Sequence, residues 1–157
     1  MAHVRVQEAP FDAGREIAAL TEGRRDVGAV ASLVGLVRDR NEGAEVSRMT
    51  LEHYPGMTER ALQDICAEAA RRWNVIDARV VHRVGPLEPG EAIVLVAVSS
   101  AHRGEAFAAC EFIMDFLKTR APFWKKESVP SGERWVEARA SDDEAAARWT
   151  GDGEGHP

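Results

Sequence analysis

The chain has no apolar run that can cross a bilayer. Its longest, AIVLVAV at residues 92–98, is far too short. The N-terminal MAHVRVQEAPF lacks the apolar stretch of a secretory signal, so a soluble cytoplasmic protein is expected. Cysteine is scarce: Cys66 and Cys110 stand alone, each in a helical pattern on or near its apolar side. Two isolated cysteines make neither a disulfide framework nor a metal site, and they read as small buried hydrophobes in a reducing compartment. Positive charge is also in deficit, 20 Lys and Arg against 26 Asp and Glu for a net −6. That balance argues against nucleic acid as the main partner, because such binders carry a basic face. Any cluster of cations here is local and suits a small anion better than a polyanion. There is no Walker-type phosphate loop, His-Glu-x-x-His, Cys-x-x-Cys or Gly-x-Ser-x-Gly.

What is present fits one domain: 157 residues, 45% hydrophobic and 29% charged, enough to bury a core without staples. HVRVQ alternates and opens as a short strand, closed by Pro10. DAGREIAALTE suits a helix with Asp12 as N-cap. VGAVASLVGLVRD is a long strand bulged at Gly35, RNEGAE a turn, and VSRMTLEHY a strand expected to pair back onto it. MTERALQDICAEAARRW, 57–73, repeats Leu62, Ile65, Ala69 and Trp73 at helical spacing. DARVVHRVG is a strand, PLEPGE a turn, and AIVLVAVSSA a central strand, being apolar on both faces. HRGEAFAACEFIMDFLKTR is the second main helix, with a stripe of Phe107, Cys110, Met114 and Leu117, stopped by Pro122. FWKKESV and ERWVEA flank a Pro-Ser-Gly turn as a C-terminal hairpin. SDDEAAARW carries a capping-box pattern, Ser141 with Glu144, and reads as a short helix. The fold class is α+β, a mostly antiparallel sheet with two main helices; residues 1–149 form the domain and 150–157 a flexible polar tail.

Three places carry candidate chemistry. DFLKTRAPFWKKE packs Lys118, Arg120, Lys125 and Lys126 around Pro122. A basic residue at a helix C-terminus is ordinary, since it offsets the helix dipole. Here, however, the proline turns the chain and a strand brings further lysines back. Neighbours on a strand face opposite ways, so only one of Lys125 and Lys126 can join Lys118 in a pocket. In SSAHRGEAF, His102 and Arg103 stand where a strand end meets a helix start. Free backbone N–H groups there favour anions, although His102 can equally be a simple cap and Arg103 a surface charge. In GLVRDRNEG, Arg38 and Arg40 share a face if the strand continues. In LEHYPGMTE, Glu52 and Tyr54 lie on one face and His53 on the other, which suits a structural role better than an acid–base pair. Taken alone, these residues describe an α+β domain with a cationic, non-metal pocket for an anionic small molecule.

In this order, GLVRDRN, LEHYPGMTE, VHRVGPLEPGE, SSAHRGEAFAACEFIMDFLKTRAPFWKKE and GERWVEAR resemble the catalytic (large) subunit of molybdopterin synthase. The resemblance runs from about residue 27 to about residue 149. It implies an α/β-hammerhead fold and a sulfurtransferase. Such an enzyme converts cyclic pyranopterin monophosphate (precursor Z) to molybdopterin in molybdenum cofactor biosynthesis by installing a dithiolene. The sulfur arrives as a C-terminal thiocarboxylate on a small ubiquitin-like carrier subunit. Two large subunits form a central homodimer with a carrier at each end, giving a heterotetramer. No metal or redox cofactor is implied, nor any nucleic acid or membrane partner. The carry-over makes Lys118 and Lys125 the catalytic positions. Arg38, His102, Arg103 and Met114 are substrate-binding, with His102 and Arg103 open to being lent by the neighbouring subunit. The family often has an aromatic where this chain has Leu33, so a stacking contact to the pterin is not expected from that position. Two other readings are a non-catalytic module that holds a ubiquitin-like partner, and an enzyme of another phosphorylated heterocycle.

Overall fold

A computed structural model of the protein describes residues 2–136 and 140–149. Two sheets of four strands organise them. In the first sheet β1 (Ala2–Gln7), β6 (Val75–Arg83), β8 (Ala92–Ser100) and β2 (Ala29–Leu36) lie side by side in that order. The β1–β6 pair is parallel, and the other pairs are antiparallel. The apolar run on β8 is explained by its place. Val94, Val96 and Val98 face α2 (Met57–Arg72) and α3 (Arg103–Arg120), while Leu95 and Ala97 face α1 (Ala13–Thr21) on the other side. All five are at most 3% exposed. A strand covered by helices on both faces has no polar face to show. The Asp12 cap is present, accepting a hydrogen bond from the Arg15 N–H at 3.1 Å. The register of β2 against β8 slips between Gly35 and Leu36, the bulge expected at Gly35.

The second sheet runs β10 (Gly132–Val136), β9 (Phe123–Val129), β5 (Arg48–His53) and β7 (Gly85–Leu87), all antiparallel. Here the expected pairing of β5 with β2 is overturned. RNEGAE does reverse the chain, as the two-residue strands β3 (Arg40–Asn41) and β4 (Ala44–Glu45), with Glu42 and Gly43 both at positive φ. Beyond that turn β5 leaves for the second sheet, because Met49 and Leu51 bury against Val37, Val84 and Leu87 in a separate core. The PLEPGE turn is also shorter than expected, since Gly85–Leu87 pairs with β5 as β7. Gly85, at φ 87°, is the corner where the chain passes from one sheet to the other.

On α3 the stripe needs correction. Cys110, Met114 and Leu117 are buried, but Phe107 is 65% exposed. The buried surface of the helix is instead made of Ala106, Ala109, Phe112, Ile113 and Phe116 with those three, because α2 and the terminal helix α4 (Ala140–Ala147) cover α3 in addition to the sheet. The capping-box expectation at Ser141 rests on a side chain outside the described set, and the tail at 150–157 lies outside it altogether. Both cysteines are buried and free, and burial pushes the thiol of Cys66 up to about 12 and that of Cys110 up to about 11. They are inert packing groups.

Two contacts tie the halves together. The fully buried Thr58, in the first turn of α2, accepts from the Tyr54 N–H at 3.0 Å and donates to the Pro122 carbonyl at 3.0 Å. His82 on β6 stacks on Phe123 of β9, with ring centroids 3.8 Å apart and planes 19° from parallel. Burial pushes the imidazole of His82 down to about 4, aided by the charges of Lys118 and Lys125 and opposed by its bond to the Arg83 carbonyl.

Thr58→Val keeps the shape and deletes both hydrogen bonds, leaving a buried carbonyl and N–H unpaired. We expect a loss of about 1–3 kcal/mol in urea unfolding, whereas no change would show the hydroxyl to be dispensable. For His82 the sign follows from its lowered native value. The unfolded chain binds the proton first, so stability falls as pH drops from about 6.5 toward about 4. Between pH 7 and pH 4.5 His82→Phe should lose about 2–3 kcal/mol less than the unaltered protein. Equal losses would show that the ring titrates normally.

Candidate active site

The residues of β9 face alternately. Against β5, Leu51 sits opposite Lys125, Met49 opposite Glu127 and His53 opposite Phe123. This face, with Phe123, Lys125 and Glu127, looks into a cavity of about 460 Å³ between the two sheets and the C-terminal end of α3. Trp124 and Lys126 are absent from its lining. Lys126 instead lies 5.2 Å from the centroid of the Trp135 ring and 3.7 Å from Glu133. The expectation that only one of the two lysines joins Lys118 is met, and that one is Lys125.

The last turn of α3 supplies Lys118 to the same cavity, with Met114 and Leu117 beside it. Arg120, two residues on, turns away and sits 4.2 Å from the centroid of Phe116. The four cations of the segment therefore divide into two that share the cavity and two that are held elsewhere. The segment after β2 adds Arg38 to the wall and β3 adds Arg40, both exposed. Arg38, Met114, Lys118 and Lys125, the four grouped by the family resemblance, thus line one cavity.

His102 and Arg103 are not brought there. Both are exposed at the opposite end of α3. From Arg103 to Lys118 the helix rises about 22 Å, at about 1.5 Å per residue. His102 holds the N-cap position but makes no capping bond with its side chain. The serines before it are structural: Ser99 Oγ accepts from the Asp77 N–H at 3.0 Å, and Ser100 Oγ donates to the Asn74 carbonyl at 2.7 Å.

Three further residues shape the site. Glu127, 5% exposed, accepts from Asn41 Nδ2 at 3.0 Å and from Arg134 at 3.1 and 3.2 Å. The sequence indicated the hairpin but not its register: Gly132 already pairs with Val129 as part of the strand, and this sets Arg134 opposite Glu127. Asn41 comes from the β3–β4 turn and carried no local signal. His82, deep in the floor, is the third; it read only as a strand residue. Leu33, where an aromatic was not found, does line the cavity, 41% exposed. Chemically, the cavity offers two ammonium groups and two guanidiniums over an apolar floor of Leu51, Phe123 and Met114. That is a place for an anion attached to a flat, weakly polar body. Among the described residues no three His, Cys, Asp or Glu side chains are grouped to hold a metal ion, and no helix is long and apolar enough to cross a membrane.

Comparison with known proteins agrees with this architecture. The chain is 64% identical over 149 residues to the molybdopterin synthase catalytic subunit of Ralstonia nicotianae, covering 95% of this chain and 85% of that one. It is 58% identical to the molybdopterin synthase catalytic subunit of Pseudomonas aeruginosa, covering 93% and 97%. Among solved structures, the molybdopterin biosynthesis MoaE protein from Burkholderia ambifaria superposes with a TM-score of 0.82 at 58% identity, covering 95% of this chain and 98% of that one. Molybdopterin synthase from Staphylococcus aureus does so with a TM-score of 0.78 at 32% identity, covering 84% and 95%. The family model described as MoaE protein matches residues 6–120, and the chain belongs to the MoaE family.

Proposed function

We propose that this chain is the catalytic subunit of a molybdopterin synthase. It takes sulfur from the C-terminal thiocarboxylate of a small ubiquitin-like carrier and installs it on cyclic pyranopterin monophosphate, building the dithiolene of molybdopterin. The observation that carries this reading is the convergence of Lys118 and Lys125, from a helix end and a strand, on one cavity with Arg38 at its wall. Substrate phosphate and carrier tail are both anions, and both need cations where they meet. Lys118 stands at the mouth, exposed, where an incoming tail reaches it, and Lys125, half-buried, lies further in. In this reading Lys118 acts on the reacting atoms as acid, base or nucleophile, and Lys125 holds the substrate's charge or moves a proton. Met114 packs against the heterocycle.

The distance of His102 and Arg103 from the cavity supports a second element of the proposal. A second copy of the chain brings these residues to the site of the first, in a central dimer that carries one small subunit at each end.

With precursor pterin phosphate and thiocarboxylated carrier, the unaltered protein should form dithiolene product. Lys118→Ala should lower turnover by at least about 100-fold while the carrier still binds. Lys126→Ala, on the opposite face, should change it by less than about twofold. Full activity in Lys118→Ala would overturn its role, and absence of product from folded wild-type protein would overturn the whole reading. If the site is shared, mixing inactive Lys118→Ala and Arg103→Ala chains should restore roughly a quarter of wild-type activity, because each mixed dimer keeps one intact site. No recovery after verified subunit exchange would place Arg103 in the function of its own chain.

A further inference from the structure

The floor of the cavity holds a group that has no part in binding anions. His82 is 5% exposed, stacked on Phe123, and its Nδ1 lies 2.8 Å from the Arg83 carbonyl oxygen. A carbonyl oxygen can only accept, so Nδ1 carries the hydrogen and the neutral ring presents Nε2 as a bare acceptor. Nε2 has no hydrogen-bond partner among the described residues, yet the ring lines the cavity. Burial disfavours a second proton on the ring most, and Lys118 from α3, Lys125 from β9 and His53 from β5 disfavour it further, against the opposing bond to the Arg83 carbonyl.

The other acceptors of the wall are differently placed. Both carboxylate oxygens of Glu127 are taken, one by Asn41 and the other by Arg134. Asp142, on α4, is partly exposed. An uncharged acceptor on an apolar floor, flanked by an aromatic ring, is matched to a weakly acidic N–H on a flat heterocycle, which costs little to desolvate. A reduced pterin carries such N–H groups along its ring edge.

We propose that His82 is a specificity-determining residue of this cavity, its Nε2 accepting a hydrogen bond from a ring N–H of the substrate while the lysines hold the phosphate. The inference rests on the pterin phosphate reading above and adds how the ring is recognised. A site built to pair with a donor discriminates strongly against a ligand that lacks it, since the ligand then covers the acceptor and leaves it unpaired. The ring is fixed by the Phe123 stack and the Arg83 carbonyl, so the acceptor is set in place before the ligand arrives.

The test is equilibrium binding of precursor pterin phosphate, and separately of inorganic pyrophosphate, to wild type, His82→Phe and His82→Gln. His82→Phe keeps an aromatic stack and loses the acceptor. It should bind the pterin phosphate about 10–30-fold more weakly and pyrophosphate as wild type does. His82→Gln, which offers an amide oxygen, should recover to within about threefold of wild type. Unchanged pterin binding by His82→Phe overturns the inference alone, as does an equal loss for both ligands or a Gln variant as weak as Phe. Failure of the wild type to bind the pterin phosphate overturns the substrate reading itself. If His82→Phe does not fold, an analogue with the ring N–H replaced by oxygen should bind the wild type at least about tenfold more weakly, and equal affinity overturns the inference.

Discussion

The arrangement depends on one bend. At Ala121–Pro122 the chain leaves a helix of 18 residues and enters a strand, and the two lysines of the cavity stand on either side of that bend. Like charges brought together repel, so the backbone that presents them has to be held by something else. The Thr58 hydroxyl, donating to the Pro122 carbonyl from the first turn of α2, fixes the bend to a second helix. The His82–Phe123 stack fixes the first residue of β9 to the first sheet. Proline adds its own part, since its ring fixes φ and removes the N–H that would let the helix continue. With both ends anchored, the side-chain period of a strand decides the rest: Lys125 faces in and Lys126 faces out.

The two sheets divide the remaining work. The first is sealed on both faces by helices, and its inner strands carry almost no exposed surface. A layer packed so closely is a rigid reference against which a site can be positioned. The second sheet is open. Its inner face closes the small core of Met49, Leu51 and Leu87 and then gives way to the cavity, while its outer face leaves Trp124 and Trp135 exposed. The cavity lies where the rigid layer ends and the open one begins, beside the bulge after Gly35.

Much of this was legible in the residues because local rules sufficed. Helical spacing placed α2 and α3, apolar character on both faces placed β8 in the interior, and period two separated Lys125 from Lys126. What was not legible depended on distant partners. The expected pairing of β5 with β2 used adjacency in sequence, but the strand was claimed by Leu87 and by the register Leu51 to Lys125, more than seventy residues on. Phe107 was assigned to the buried stripe because helical spacing cannot say how wide the buried face is, and α4 and α2 cover a different sector. His82 looked like any polar residue in an alternating strand, since its burial comes from Phe123, which arrives only when the second sheet forms. The resemblance to a known family supplied Arg38, Met114, Lys118 and Lys125 together, and the fold draws these four into one cavity. It also supplied His102 and Arg103, which no contact within one chain brings to them.

An acidic protein can still draw in an anion because charge acts locally. The net −6 is a property of the whole chain, and at physiological salt a charge is screened within about 8 Å. A small anion at the cavity therefore feels the nearest groups and little else. Those are Arg38, Arg40, Lys118 and Lys125, set against Asp142 and a Glu127 already neutralised by Arg134. Among the described lining residues the cations outnumber the acids, while the chain as a whole is acidic. A compact phosphate or a single carboxylate terminus fits inside that distance. A nucleic acid, which must lay many phosphates along a surface, would meet the acidic remainder. On the proposed reading the few cations select for size as well as for sign, and the apolar floor with its neutral imidazole is left to recognise the uncharged part of the ligand by shape and by hydrogen bonding.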